Sequence, residues 1–396
     1  ALVVLRLQPI LERELQKVES KQLFDEIEMP LIPILAKMEM SGISLDCEFL
    51  QEMSARLEIA MNEIEKKIME SVGEHFNLNS PKQLSEALFS TLGLAPPDRT
   101  KKTKSGYFST AAGVLESLQG KNPVPEWVLE YRELAKLKST YVDALVDQVH
   151  PTTERIHTSY NQAGTVTGRI ASSNPNLQNI PIRTEMGRQV RKAFMASSGW
   201  QLLAVDYSQI ELRVVAHMAK DESMIHAFNV GQDIHATTAA AIYNVPLESV
   251  TKNQRRHAKA INFGLVYGMS PYGLTQTTEL TLGEAEDFVE AYFERFPGVK
   301  QYLDTVREMA KEQGYVETML GRRRYFPRLQ TSSNYNVRRR EEREAINAPV
   351  QGTAADIMKL AMIYVSQSLL ENKLSARILL QVHDELVLES PLEEME

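Results

Sequence analysis

The apolar residues Leu50, Met53, Leu57, Met61, Ile64 and Ile68 recur at three- and four-residue steps, the spacing that lines up along one side of an α-helix. A second stripe of the same kind runs through Trp127, Tyr131, Leu134, Leu137, Tyr141 and Leu145. Two long amphipathic helices can bury such stripes by packing as an antiparallel pair. Between them a shorter helix is marked by Ser80 as N-cap, Pro81 at the first helical position and Gln83 placed to close a capping box. A polar loop rich in Lys and Thr follows at 96–106, so residues 46–150 read as one helical unit. After Pro151 the pattern shortens. Residues 155–161 and 201–206 are predicted strands, and Arg377–Val382 with 385–388 a predicted hairpin. The stretch between the second strand and the hairpin is mostly of helical period. A sheet interrupted by a helical insertion predicts an α+β fold.

A chain of 396 residues is expected to form two or three compact units, and its 43% hydrophobic and 24% charged composition is that of an ordinary globular protein. No apolar run reaches membrane-spanning length, and the apolar start from Ala1 to Arg6 has neither a charged leader nor a small-residue cleavage site. The lone cysteine, Cys47, has no partner for a disulfide, which fits a reducing cytoplasm. The net charge of −8 argues weakly against a nucleic-acid partner, but phosphate affinity depends on local cation placement rather than the total. Cations do cluster, at Arg183, Arg188, Arg191 and Lys192, at Arg255, Arg256 and Lys259, at 322–324 and at 338–340. The last run, followed by Glu341 and Glu342, reads as a solvated helix face, and so do the acidic Asp25, Glu26 and Glu28.

Three segments carry candidate chemistry. In 202–213 an apolar strand ends at Asp206, where a carboxylate beside a turn is placed to hold a divalent cation. Taken alone, Asp206 reads more readily as a residue opening a turn. In 378–388 two apolar strands flank His383 and Asp384, residues that also suit a bare hairpin tip. Buried carboxylates without a partner are costly, and a metal offsets that cost. If the two strands pair, Asp206 and Asp384 share two Mg²⁺ ions roughly 4 Å apart. In 255–268, Arg255, Lys259, Phe263 and Tyr267 recur every four residues and share one slowly turning helical stripe, cations at one end and aromatics at the other. Cations suit a triphosphate and rings suit a base; a plain amphipathic helix with a basic edge fits the stripe as well. Residues 208–211, Ser-Gln-Ile-Glu, also match a helix capping box in which Glu211 reaches back to the Ser208 amide.

Together, in this order and at these separations, the three segments resemble motifs A, B and C of the family A DNA polymerases. The resemblance extends over nearly the whole chain, through Thr167, Gly168 and Arg169, the 174–181 stretch, Asp233, Ile234 and His235, the 347–356 stretch, and the 79–84 and 136–141 stretches, which are similar to the family's thumb. It implies a right-hand architecture. Residues 1–45 would lead into a thumb at 46–150, a palm at 151–210 and 331–396, and fingers at 211–330. It also implies that Asp206, Asp384 and the carbonyl of Tyr207 bind two Mg²⁺ ions, with Mn²⁺ able to substitute. Lys259 would bind triphosphate and protonate the leaving group, with Arg255 and His235 on the outer phosphates. Phe263, Tyr267 and Gln209 would line the nucleotide site, and Glu211 would exclude a ribose 2′-hydroxyl. Arg169, Asn176, Gln178, Arg183, Gln351 and His383 would contact the duplex near the primer end, and Lys138 its backbone. For Asn176, turn formation beside Pro175 is the competing reading; for Lys138, a solvated helical lysine.

The expected partners are primer-template DNA and dNTPs, with no membrane, for a monomer working in the cytoplasm at the bacterial nucleoid. The family's 3′→5′ exonuclease and 5′-nuclease domains have no counterpart among these residues, so no proofreading is expected from the chain. Family members continue past the last motif, whereas here the chain closes at 391–396. Three other functions share part of the pattern. A single-subunit RNA polymerase has the same palm chemistry but a small residue where Glu211 stands. A non-catalytic primer-template-binding module has no need of two cation-binding carboxylates. A metal-dependent nuclease has no use for the nucleotide-binding helix.

Overall fold

The computed structural model describes residues 2–98, 100, 102–181 and 184–395. The chain divides into two compact units, one made of 42–158 and 174–201 and the other of 1–41, 159–173 and 202–396.

The first unit is built on the two predicted stripes. The Cys47–Val72 helix opens on Asp46, whose carboxylate accepts the Phe49 N–H at 2.9 Å, and closes on Gly73 with φ 84°, a left-handed conformation that suits glycine. Leu50, Met53, Leu57, Ile64 and Ile68 are buried, and this face packs on the Val124–Leu137 helix. The second stripe is not one α-helix. It passes through a π-helical turn, Lys138–Asp143, into Ala144–Asp147. The wider turn keeps Tyr141 and Leu145 buried in line with Leu134 and Leu137. Ser80 caps Pro81–Glu86 as expected, but the reciprocal half of the capping box is absent, because the Gln83 carboxamide oxygen accepts the Asn77 N–H at 2.6 Å instead. A three-stranded antiparallel sheet has Ile43–Leu45 between Arg155–Ile156 and Phe194–Met195.

The predicted strand at 155–161 is broken. Arg155–Ile156 belongs to that sheet, while Ser159–Asn161 pairs with Ala171–Ser173 in the other unit. Thr158, between them, turns its hydroxyl to the Pro175 carbonyl at 2.8 Å, a side-chain bond that draws the chain out of the ladder.

The second unit carries a sheet ordered Trp200–Asp206, Glu385–Pro391, Arg377–Val382, the last two forming the predicted antiparallel hairpin. Helices fill 210–313, from Ile210–Met218 to Pro297–Gln313, and a short hairpin, Tyr315–Glu317 with Arg323–Tyr325, follows. The 37-residue helix Tyr335–Glu371 runs through the unit. Its Ile346, Val350 and Ala354 enter the core of the 210–303 helices. Ala345 and Ala348 enter a smaller core with Val306 and Phe326. Met358, Met362 and Ile363 pack with Leu31, Met38, Ile378 and Leu388 under the sheet. One helix serving three cores turns different faces inward along its length, so it shows no single stripe.

Glu28 is not on a solvated face. Asp25 and Glu26 are exposed, but Glu28 takes the Lys359 ammonium at 2.7 Å and the Arg322 guanidinium. Burial pushes its carboxyl upward, yet the two cations outweigh burial and hold it below the usual carboxylate range. The 338–340 arginines are exposed, as expected. Those at 322–324 are all taken up in ion pairs with Glu28, Asp356, Glu317, Glu19 and Glu344. Among the described residues no helix is long and apolar enough to cross a membrane.

Asp221 joins two helices of this unit. One carboxylate oxygen accepts the Met224 N–H and the other the Gly298 N–H, both at 3.0 Å, and the residue is 3% exposed. Asp221→Ala leaves one buried and one part-buried amide without acceptors and is predicted to cost about 2–3 kcal/mol, read as a lower urea midpoint of helical circular dichroism. A change below about 0.5 kcal/mol, the range of an ordinary surface substitution, contradicts this account of the junction.

Candidate active site

The strand Trp200–Asp206 ends in the carboxylate of Asp206, and the next residue ties that end to the hairpin, the Tyr207 N–H donating to the Asp384 carbonyl at 3.0 Å. His383, at φ 54°, makes the reversal, a left-handed position that histidine tolerates. Gln381 donates its side-chain amide to the His383 carbonyl at 2.5 Å and braces the turn. Two like charges thus come near one another, Asp384 half-buried and Asp206 exposed. Burial raises the Asp384 pKa, Arg169 at 3.9 Å opposes the rise, and the Asp206 charge adds to it. A pair of carboxylates with a single nearby cation is poorly neutralised. Carboxylate oxygens are hard donors of the kind a divalent ion takes. No cluster of three or more acidic, His or Cys side chains with metal-binding geometry exists among the described residues.

Opposite this pair lies the helix Lys252–Val266. Thr251 and Gln254 form a complete capping box at its start. Ala258, Ile261, Asn262 and Leu265 bury one side, which leaves Arg255, Lys259 and Phe263, at four-residue spacing, on the other. These three line a cavity of about 250 Å³ together with Asp206, Tyr207, Gln209, Ile210, Glu211, His235 and Asp384. The three predicted segments therefore converge on one cleft, and all these residues belong to the second unit.

The Ile234–Tyr243 helix supplies His235. Its N-cap Asp233 accepts the His235 and Ala236 amides and also binds the Arg255 Nε at 2.6 Å, so one carboxylate fixes both the helix start and the arginine. The His235 ring stands 5.7 Å from that of Phe263, which stands 6.1 Å from Tyr267. The imidazole Nδ1 is 3.0 Å from the side-chain nitrogen of Asn262, which is fully buried. Sequence reasoning missed Asn262; the available signal was a polar residue on the apolar side of the helix. Burial lowers the His235 pKa to about 4, Asp233 opposing and Arg255 and Lys259 assisting, so the ring is neutral near pH 7.

Glu211 does not cap its helix. The N-cap is Gln209, at φ 55° and without a side-chain cap bond, so the capping-box alternative is not the one adopted. Glu211 is 6% exposed and turns into the cleft, where it accepts from Arg169 at 2.8 Å and from the Tyr267 hydroxyl. Burial raises its pKa, and the Tyr267 hydroxyl and Arg169 restrain the rise. Tyr267 is pushed well above the usual phenol value by burial and by Glu211.

The remaining candidates are not among the residues that line this cavity. His383 is exposed beside Asp384, and Gln351 is half-buried on the long helix. Asn176 and Gln178 belong to the first unit, where the Asn176 side chain accepts the Gln178 N–H at 3.0 Å, so the turn-forming reading of Asn176 is realised. Lys138, also in that unit, is held by Asp143 at 2.9 Å and Glu58 at 3.0 Å. Arg183 lies outside the described residues.

Comparison with known proteins gives one answer. The model of DNA polymerase family A matches residues 47–396. DNA polymerase I of Geobacillus stearothermophilus is 52% identical over 390 residues, covering 98% of this chain and 44% of that protein. DNA polymerase I of Bacillus subtilis is 49% identical over 397 residues, covering 100% and 44%. The thermostable DNA polymerase I of Thermus aquaticus is 50% identical over 374 residues, covering 94% and 44%. The chain thus spans about 44% of the length of these relatives. The POL domain of Pol1 from M. smegmatis, solved in complex with DNA primer-template and dNTP, superimposes with a TM-score of 0.93 at 44% identity, over 100% of this chain and 69% of that one.

The buried neutral His235 sets a pH dependence. Below the ordinary value of 6.5 the unfolded chain protonates this imidazole, while the folded chain resists down to about 4. Stability therefore falls as pH drops through that window. His235→Gln is predicted to make the fall shallower in urea unfolding followed from pH 7 to 4; an unchanged slope places the imidazole in water instead.

Proposed function

The chain belongs to DNA polymerase family A, and from that premise we propose that it is a template-directed DNA polymerase that adds dNTPs to a primer 3′-hydroxyl. The observation that carries this reading is the meeting of two kinds of wall in one cleft. Asp206 and Asp384 stand on one side, and Arg255, Lys259, Phe263 and His235 on the other. Carboxylates facing cations have a use when a multiply charged anion and metal ions sit between them.

The family uses divalent metal ions, and in this chain we assign them to the carboxylates of Asp206 and Asp384 and the carbonyl of Tyr207, as two Mg²⁺ ions for which Mn²⁺ can substitute. Bound there, the ions would lower the pKa of the 3′-hydroxyl and offset charge on the triphosphate. The chain's own groups do the rest. Arg255 and His235 hold the outer phosphates, and Lys259 binds phosphate and gives a proton to departing pyrophosphate. Phe263, Tyr267 and Gln209 line the base and sugar. Glu211, already bonded to Arg169 and Tyr267, leaves a ribose 2′-hydroxyl no room and no free partner, which selects deoxynucleotides. Arg169, Gln351, His383, Asn176, Gln178 and Arg183 contact the duplex near the primer end. Lys138 meets its backbone once it exchanges Glu58 and Asp143 for phosphate.

In these terms the 46–150 region acts as thumb, 211–330 as fingers, and 151–210 with 331–396 as palm. The enzyme works as a monomer in the bacterial cytoplasm, at the nucleoid.

Extension of a labelled primer with dNTPs or rNTPs tests this reading. Wild type is predicted to extend with dNTPs and hardly with rNTPs. Asp384→Ala is predicted to lose about a thousandfold or more in rate, about 4 kcal/mol of barrier, while binding primed DNA within about threefold of wild type, since it removes no phosphate contact. Binding lost in parallel with activity makes Asp384 a structural residue. Equal use of rNTPs contradicts the role of Glu211.

A further inference from the structure

The arginines at 322–324 form a basic cluster in sequence, but ion pairs occupy all of them. Arg322 has a second contact that its neighbours lack. Its side chain lies against Gly168, where a Cβ would stand 2.5 Å from Nε and 2.6 Å from Cδ, and Gly168 is held at φ +81°. The other side of the same turn meets the long helix at Gly352, whose Cβ would stand 3.3 Å from the Thr167 carbonyl oxygen and 2.5 Å from Thr318 Cγ2. Inside the turn the Thr165 hydroxyl donates to the Arg169 carbonyl at 2.8 Å. The backbone leading into Arg169 is therefore fixed from several sides, and a small rotation at Gly168 would be carried along the side chain to its guanidinium. That guanidinium is the group bonded to Glu211 at 2.8 Å.

Arg322 is itself immobilised. Its Nε donates to Asp356 at 2.8 Å, and the other Asp356 oxygen accepts the Thr318 hydroxyl at 2.8 Å. Glu28 binds its second arm while also taking Lys359 at 2.7 Å and Gln162 at 2.8 Å. Lys359 and Asp356 are almost wholly buried. A buried ionic cluster of this kind is a weak source of net stability, and its bonds hold the groups they join in a narrow range of orientations.

We propose that Arg322, anchored by Asp356 and Glu28, is a positioning residue for nucleotide selection: it sets the turn that presents Arg169, and through Arg169 the carboxylate of Glu211, to the sugar of the incoming nucleotide. This rests on the sugar-selecting reading of Glu211.

Single-nucleotide addition by the 396-residue chain, with kcat and KM taken separately for dNTP and rNTP, tests it in wild type, Glu211→Ala, Arg322→Lys, Thr318→Val, Arg324→Ala, Arg169→Ala and Arg169→Ala with Arg322→Lys. Melting curves report folding. Arg322→Lys keeps the charge but cannot bridge both carboxylates, and is expected to lower the deoxy-over-ribo ratio about tenfold or more, as displaced site groups do, mainly through kcat for the dNTP. Thr318→Val, which loosens Arg322 without removing charge, should act in the same direction and serves if the lysine variant does not fold. Arg324→Ala removes a comparable ion pair with Glu344 away from the turn and should leave the ratio unchanged. The double variant should be no worse than Arg169→Ala alone.

A folded Arg322→Lys or Thr318→Val with the wild-type ratio, beside a relaxed Glu211→Ala, overturns the positioning role alone. A wild-type ratio in Glu211→Ala overturns the sugar-selecting reading and this proposal with it. Additive losses in the double variant show that Arg322 does not act through Arg169.

Discussion

A single backbone hydrogen bond, from the Tyr207 N–H to the Asp384 carbonyl, closes the end of one strand onto the turn of a hairpin remote in sequence. It brings Asp206 near Asp384, whose carboxyl burial and the Asp206 charge both push upward. A nearby cation favours the charged form of such a carboxylate. Arg169 opposes that rise, and in the function proposed above a divalent ion completes the compensation. The rest of the cleft follows from this constraint, since a site that gathers cations on one wall and presents Lys259 and Arg255 on the other is suited to an anion of high charge.

The frame that holds the cleft is the helix Tyr335–Glu371, whose faces enter three separate cores. Its buried Asp356 and Lys359 bind Arg322 and Glu28, so an ionic cluster joins the N-terminal segment, the short hairpin near 315–325 and the long helix within one unit. An apolar substitute of the same volume could fill that space as stably. What the charges add is direction, because guanidinium and carboxylate bond only in a narrow range of orientations.

Local signals were legible in sequence. The stripe from Leu50 to Ile68, the cap at Ser80, the hairpin around His383 and the four-residue spacing of Arg255, Lys259 and Phe263 all depend on neighbours along the chain, and the structure forms each of them. What escaped was non-local or conditional on packing. The second stripe contains a π-helical turn, because three- and four-residue steps do not distinguish a widened turn from a regular one. The 155–161 strand breaks where Thr158 finds a partner across the fold. Glu28 looks like a solvated acid until Lys359, far along the chain, is placed beside it. Glu211 fits a local capping pattern, and only the approach of Arg169 and Tyr267 shows that its carboxylate is engaged elsewhere. Asn262 gains its meaning from His235 on a neighbouring helix.

The central claim is that Asp206 and Asp384 together form a divalent-cation site. Electron paramagnetic resonance of Mn²⁺ tests it most directly, on the chain bound to a template with a 3′-deoxy primer end and the matching dNTP. Ions bound by DNA alone are subtracted. The account predicts two further Mn²⁺ per chain in the wild type and their loss or strong weakening in Asp206→Asn. Unchanged Mn²⁺ binding in that variant would contradict it.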